Sequence, residues 1–98
     1  MIVRLVHLTL RTDQVDAFQQ LFERSKHKIK ATPGCLHLEL IREIDHPAKF
    51  STLSRWDSVS ALDAYRNSAF FEETWALTKA MFAERAVAQS YHVVSEID

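Results

Sequence analysis

The first ten residues are rich in branched apolar side chains, interrupted by Arg4, His7 and Thr9. Ile2, Val6, Leu8 and Leu10 fall on one face and Val3, Leu5, His7 and Thr9 on the other, which predicts a strand over Ile2 to Leu10. Both faces are largely apolar. The period then changes to that of a helix, capped by Thr12 or Asp13 and running to about Ala31, with Val15, Phe18, Leu21, Phe22, Ser25 and Ile29 on the buried stripe. Pro33-Gly34 ends this helix and turns the chain. In a second strand, Cys35 to Ile44, Leu36, Leu38 and Leu40 alternate with His37 and Glu39 up to the turn signal Asp45-His46-Pro47. Phe50 to Trp56 is the third strand. Asp57 or Ser58 caps a helical region that breaks near Asn67-Ser68 and restarts with Ser68 as cap. Glu72 and Glu73 then suit the helix dipole, and Phe71, Trp75, Thr78 and Phe82 share one stripe. Ala86 to Ile97 reads as the last strand, with Val87, Tyr91 and Val93 against Ala88, His92 and Val94.

Strand, helix, strand, strand, helix, strand is the order of an α+β, ferredoxin-like split βαββαβ arrangement, an antiparallel four-stranded sheet with helices on one face. A single helical layer explains burial of one face of the first strand only. The other face is expected to meet a second copy of the chain, making a homodimer in which two sheets close a dimeric α/β barrel. No repeat, linker or low-complexity segment interrupts the pattern, so residues 1–98 are expected to form one domain.

A chain of 98 residues buries only about 60 to 65% of its unfolded surface, which makes self-association useful. Its 47% apolar and 26% charged residues, one glycine and two prolines are an ordered globular composition. The formal net charge of −1, with basic and acidic residues interleaved, does not suit nucleic acid. The densest basic cluster, Arg24, Lys26, His27, Lys28 and Lys30, surrounds a helix that also carries Glu23 and fits a solvated face. No stretch is apolar enough to cross a membrane. The start of the chain carries no secretory pattern and the single Cys35 has no disulfide partner, so a reducing, cytoplasmic setting is expected.

The opening Ile2-Val3-Arg4 strand, Phe18 and Phe22 on the first helix, Pro33-Gly34-Cys35, and Trp56-Asp57-Ser58 followed by Ala61-Leu62, Tyr65, Ser68, Phe71, Trp75 and Phe82 carry a resemblance over nearly the whole chain. By these residues it resembles the antibiotic biosynthesis monooxygenase (ABM) domain family of the dimeric α/β barrel superfamily. The resemblance implies one fold and several chemistries: cofactor-independent oxygenation of quinols and polyketide phenols, haem degradation, and sugar-phosphate isomerisation. Haem-degrading relatives carry a histidine ten residues after a helix tryptophan. Here Tyr65 holds the tryptophan position and Trp75 stands ten residues on, and an indole nitrogen has no free lone pair for iron. Their strand-one asparagine is replaced by Val6 or His7. The resemblance therefore favours the cofactor-independent oxygenases, with a quinol or polycyclic phenol and dioxygen as substrates and no cofactor.

The residues themselves point the same way by what they omit. There is no catalytic cysteine signature, glycine-rich phosphate loop or zinc-spaced motif, so no metal ligands are assigned, and one glycine cannot build a dinucleotide fingerprint. An oxygenase without metal or flavin needs a partner for the phenol, a dry pocket, and a polar group for the developing peroxide anion. His7, His37 and His92, on three strands, suit a base at neutral pH, and each also suits a structural or surface role. Tyr65 matches an active-site aromatic of related enzymes and joins the histidines as a candidate catalytic group. Trp75, Phe71, Phe82 and Trp56 are the candidate substrate-binding wall; each also suits a place in the core, and Trp56, at a strand end, suits it better than the wall. Arg55 is placed to meet a substrate oxygen or an acidic neighbour such as Glu39. Tyr65, Trp75 and at least one histidine are expected to converge on a pocket between the sheet and the second helical region. Two further readings stay open: a ligand-binding or sensing module of the same fold without turnover, and an isomerase of a small carbonyl or sugar-phosphate compound.

Overall fold

The structure, a computed structural model, describes residues 1–97. Period-two patterning gives β1 (Ile2–Thr9), β2 (Cys35–Arg42), β3 (Lys49–Trp56) and β4 (Val87–His92). Period-3.6 patterning gives α1 (Val15–Lys30), α2 (Val59–Arg66) and α3 (Ala69–Lys79). The four strands form one antiparallel sheet in the order β2-β3-β1-β4, the ferredoxin-like arrangement expected. On one face Ile2 and Leu8 lie opposite Trp56 and Phe50, and these four are buried together with Phe18 of α1 and Leu62 of α2. This is the face the helices cover.

Local chemistry sets the helix boundaries. Ser58 Oγ accepts the Ala61 N–H at 3.1 Å and Ser68 Oγ accepts the Phe71 N–H at 3.1 Å, so each helical piece after β3 begins on a serine cap. Gly34, at φ +86°, makes the turn into β2. Its carbonyl accepts the Asp57 N–H at 2.9 Å, tying the start of β2 to the end of β3.

Four expectations are corrected. Neither Thr12 nor Asp13 caps α1, because Thr12–Gln14 form a 3-10 turn and Gln14 takes the cap position without a side-chain bond. Leu36 does not alternate inward with Leu38 and Leu40. A bulge between Cys35 and His37 leaves it unpaired and 47% exposed, and puts Cys35 and Leu38 on the same inward face. β2 ends at Arg42 and β4 at His92, short of Ile44 and Ile97: β2 runs into the turn that leads to β3, and past His92 a single further bond, from the Val93 N–H to the Met1 carbonyl at 3.2 Å, ties the chain to β1.

The inward side chains form two buried clusters. Ile2, Cys35, Trp56 and Leu62 make one, and Leu8, Leu10, Phe18 and Phe50 the other. A cavity lies between them.

Candidate functional site

Five aromatic rings bridge the two clusters. Trp56 at the end of β3 stacks on Tyr65 of α2 at 5.1 Å between centroids, and Tyr65 meets Phe71 of α3 edge-on at 5.1 Å. Phe71 lies nearly parallel to Trp75 at 5.9 Å, with only 11° between the ring planes, and Trp75 meets Phe82 edge-on at 5.6 Å. The serine cap at the helix break fixes this relay, because Ser68 Oγ–H also donates to the Tyr65 carbonyl at 2.7 Å and holds the end of α2 to the start of α3. Rings one turn apart on each helix thereby become neighbours across the break.

The relay walls a cavity of about 340 Å³, within the range of small-molecule sites. Its floor is the sheet, with Arg4, Val6, Leu8, Leu38, Thr52 and Ser54. Phe18, Leu21, Phe22 and Ser25 of α1 close one side, and Tyr65, Arg66, Phe71, Thr74, Trp75 and Thr78 the other. Ala86 and Ala88 mark its edge at β4, where small residues on an edge strand leave the floor uncovered by bulky side chains. Trp56 is 1% exposed, and its indole N–H donates to Ser54 Oγ at 2.9 Å. That bond satisfies both polar groups of a buried pair.

Tyr65 is the one phenol on the wall. Burial, then the nearby Cys35, pushes its hydroxyl up to about 12, against a smaller opposite effect of Arg4. It is a neutral hydrogen-bond donor at physiological pH. Cys35 is a buried thiol whose pKa is raised by desolvation, a small hydrophobe of the first cluster rather than a nucleophile.

The expected convergence of a histidine with Tyr65 and Trp75 is not found: among the described residues no histidine lines the cavity. Strand parity is the reason. His7 pairs in register with Ser51 and Val87, and His37 with Arg55, all on the sheet face away from the helices. There His7 Nδ1 shares a hydrogen bond with Ser51 Oγ at 2.8 Å, and His37 Nε2 lies 3.6 Å from Glu39 Oε2. His92 is opposite Ile2, at the exposed end of β4 and outside the cavity wall. Arg55 is also on the open face, where Nη1 approaches Glu96 at 3.7 Å and donates to Met1 Sδ at 3.6 Å. Phe82 stands behind Trp75 in the second cluster and does not line the cavity. Trp56, Tyr65, Phe71 and Trp75 do line it.

Sequence reasoning missed Arg4 as a site residue. The signal was present: Arg4 is the charged residue on the face that carries Ile2, Val6 and Leu8, an inward position where arginine is costly. Ser54 and Thr52, the polar floor of the cavity, are equally silent in the sequence, because short hydroxyl side chains occur on any strand.

No group of three or more histidine, cysteine or carboxylate side chains poised for a metal occurs among the described residues, and none of their helices is long and apolar enough to cross a membrane. Solved structures share the fold across their length. An antibiotic biosynthesis monooxygenase superposes with a TM-score of 0.90 at 19% identity, covering 97% of this chain and 100% of its own. Rv0793 from Mycobacterium tuberculosis gives 0.90 at 18% identity, covering 99% of this chain and 98% of its own. A conserved protein from Methanosarcina mazei Go1 gives 0.87 at 20% identity, covering 93% and 91%. At these identities the likeness is one of fold. No curated protein is significantly similar in sequence. The family profile of antibiotic biosynthesis monooxygenase matches residues 1–76, from β1 through the aromatic wall to Trp75 and its neighbour in α3. The fold and the sequence of its wall agree, and the chain belongs to the antibiotic biosynthesis monooxygenase family.

Proposed function

We propose that this protein is a cofactor-independent monooxygenase of a quinol or polycyclic phenol, held with its ring against the wall of Tyr65, Phe71 and Trp75. The observation that carries this reading is the wall itself: a continuous series of stacked and edge-on rings along an apolar cavity of about 340 Å³. A planar substrate gains stacking there, and apolar walls keep its anion and dioxygen apart from bulk water. In the overall reaction one atom of dioxygen enters a ring carbon in place of hydrogen and the other leaves as water. The water takes the ring hydrogen and the phenolic hydrogen, and the substrate supplies all four electrons on its way to the quinone. The Tyr65 hydroxyl is the donor for negative charge that develops on oxygen. Oxygen uptake with a panel of quinols and anthrone-like phenols tests the reading. Uptake coupled to quinone formation and lost on Trp75→Ala supports it, and no uptake with any of them sinks it.

A second reading has an observation of its own. No histidine or carboxylate lines the cavity among the described residues, so no side chain there is an evident general base at neutral pH. A module that holds a planar ligand without turning it over needs none. Saturable binding without oxygen uptake would select this reading. The same lack leaves an isomerase without a proton shuttle. We also propose a homodimer through the open sheet face, in the cytoplasm. The dimer is supported by apolar surface on that face, with Ile41 45%, Val87 56% and Tyr91 45% exposed, and the reducing setting by the free thiol of Cys35.

A further inference from the structure

The cavity carries ionic side chains of one sign. Arg4 and Arg66 line it, and no Asp, Glu, Lys or His does among the described residues. Arg66 is neutralised by Asp63, whose Oδ1 lies 2.5 Å from its Nη2. Arg4 has no such partner: no ion pair among the described residues involves it, and its one side-chain hydrogen bond runs from Nη1 to Ser90 Oγ at 3.2 Å. It projects from the middle of β1, opposite Ser54 on one side and Ser90 on the other, on the face whose neighbouring inward residues are Ile2 and Val6. Burial, and after it the nearness of Arg66, hold its pKa below the usual range. A guanidinium nevertheless remains charged at neutral pH. A half-buried cation whose one hydrogen-bond partner is neutral, and near which the Asp63 carboxylate is already engaged with Arg66, is a costly feature to keep in a chain this small. An anion arriving in the cavity offsets that cost.

We propose that Arg4 is the anion anchor of this cavity, and that its occupant is an aromatic compound bearing an anionic oxygen, a carboxylate or an acidic enol, held at Arg4 while its ring lies on Tyr65, Phe71 and Trp75. This rests on the cavity being an aromatic-ligand site. Where the anionic oxygen is the acidic enol, it also removes the difficulty that the walls lack a base, because an enol that enters already ionised needs no proton taken from it. The planar fork of Arg4 suits two oxygens side by side. Arg66, engaged with Asp63, contributes field rather than a free fork.

The test uses naphthoate and naphthamide, which share size and ring and differ in charge. Binding is followed by quenching of the fluorescence of Trp56 and Trp75, independently of turnover. Naphthoate is expected to bind the full-length protein at least about 10-fold more tightly than naphthamide, the equivalent of one charge-assisted hydrogen bond. Arg4→Gln is expected to bring the two within about 2-fold of each other by weakening naphthoate alone, that charge-assisted bond being lost. Arg4→Lys, which keeps the charge without the fork, should retain part of the preference. Equal binding of both probes to the unaltered protein, or an undiminished preference in Arg4→Gln, overturns the anchor and leaves the aromatic site standing. Failure of both probes to quench overturns the anchor and the aromatic site together. Oxygen uptake with quinols tests turnover separately. Circular dichroism reports whether Arg4→Gln is folded; if it is not, the preference of the unaltered protein and its size in Arg4→Lys decide.

Discussion

Tyr65 brings packing and chemistry together in one side chain. Its ring is the second member of the aromatic relay, 5.1 Å from both Trp56 and Phe71, and its hydroxyl is kept protonated to about 12 by burial. Tyr65→Phe keeps the relay and removes the hydroxyl. On a quinol that turns over, kcat is expected to fall by about 10- to 100-fold with little change in affinity, because a bond to developing charge is lost mainly in the transition state. Steady-state oxygen uptake separates the two parameters. The same residue gives an alkaline signature. An unfolded tyrosine titrates at about 10 and the folded one at about 12, so between these values the folded state keeps a proton that the unfolded state has lost. The stability contribution is complete below about pH 10 and lost as pH rises through about 12. Thermal melts across that window should show less alkaline loss in Tyr65→Phe than in the parent. An equal loss in both would place the titrating group elsewhere.

Two elements are held in place by single small residues. A Cβ at Gly34 would stand 2.5 Å from Ala61 Cβ and 2.7 Å from Asp57 Oδ1, on a backbone at φ +86°. Gly34→Ala therefore strains the turn and pushes α2 off the end of the sheet. A loss of about 1 to 3 kcal/mol is expected in denaturant unfolding. Each serine cap is worth about 1 kcal/mol, and the two differ in what else they do. The side-chain bonds of Ser58, to Ala61 and Ser60, stay within the start of α2, whereas Ser68 caps α3 through Phe71 and also donates to the Tyr65 carbonyl of the preceding helix. Ser58→Ala and Ser68→Ala should cost similar stability in denaturant unfolding, and only Ser68→Ala should also weaken naphthoate quenching. Ser68 was legible in the chain as a cap, and the other cap was narrowed to Asp57 or Ser58, because a cap is a local bond between residues three apart. The cap at Thr12 or Asp13 was misread for the same local reason: several polar residues in a row offer equivalent starts, and the 3-10 turn uses them up before α1 begins.

At the scale of the molecule, the sheet has one covered and one open face. The open face carries Val3, Leu5, Leu53, Ile41, Val87 and Tyr91 beside His7, His37 and Arg55. Leu5 and Leu53 pair with each other on the two central strands. A charge there disfavours burial against a second copy without touching the cavity on the other side. Leu5→Glu is expected to convert a sedimenting dimer to monomer while leaving the helical circular dichroism signal in place. A parent protein that sediments as monomer at micromolar concentration would remove the dimer from the proposal.

Periodicity, caps and turn residues determined by themselves the order of strands and helices, the break at Ser68 and the aromatic character of the wall, because each depends on residues close in sequence. The faces of β1 were legible for the same reason, with His7 on the side of Val3 and Leu5. What the other strands set beside them was not. The bulge after Cys35 changes the parity of β2, so that Leu38 faces the cavity and His37 joins His7 on the open side. Cross-strand register alone puts Arg4 between Ser54 and Ser90, and the docking of α2 on the sheet brings Arg66 and Tyr65 to the same cavity. Which charges share a cavity depends on pairings between residues up to 86 positions apart, such as Arg4 with Ser90, and only tertiary packing sets those distances.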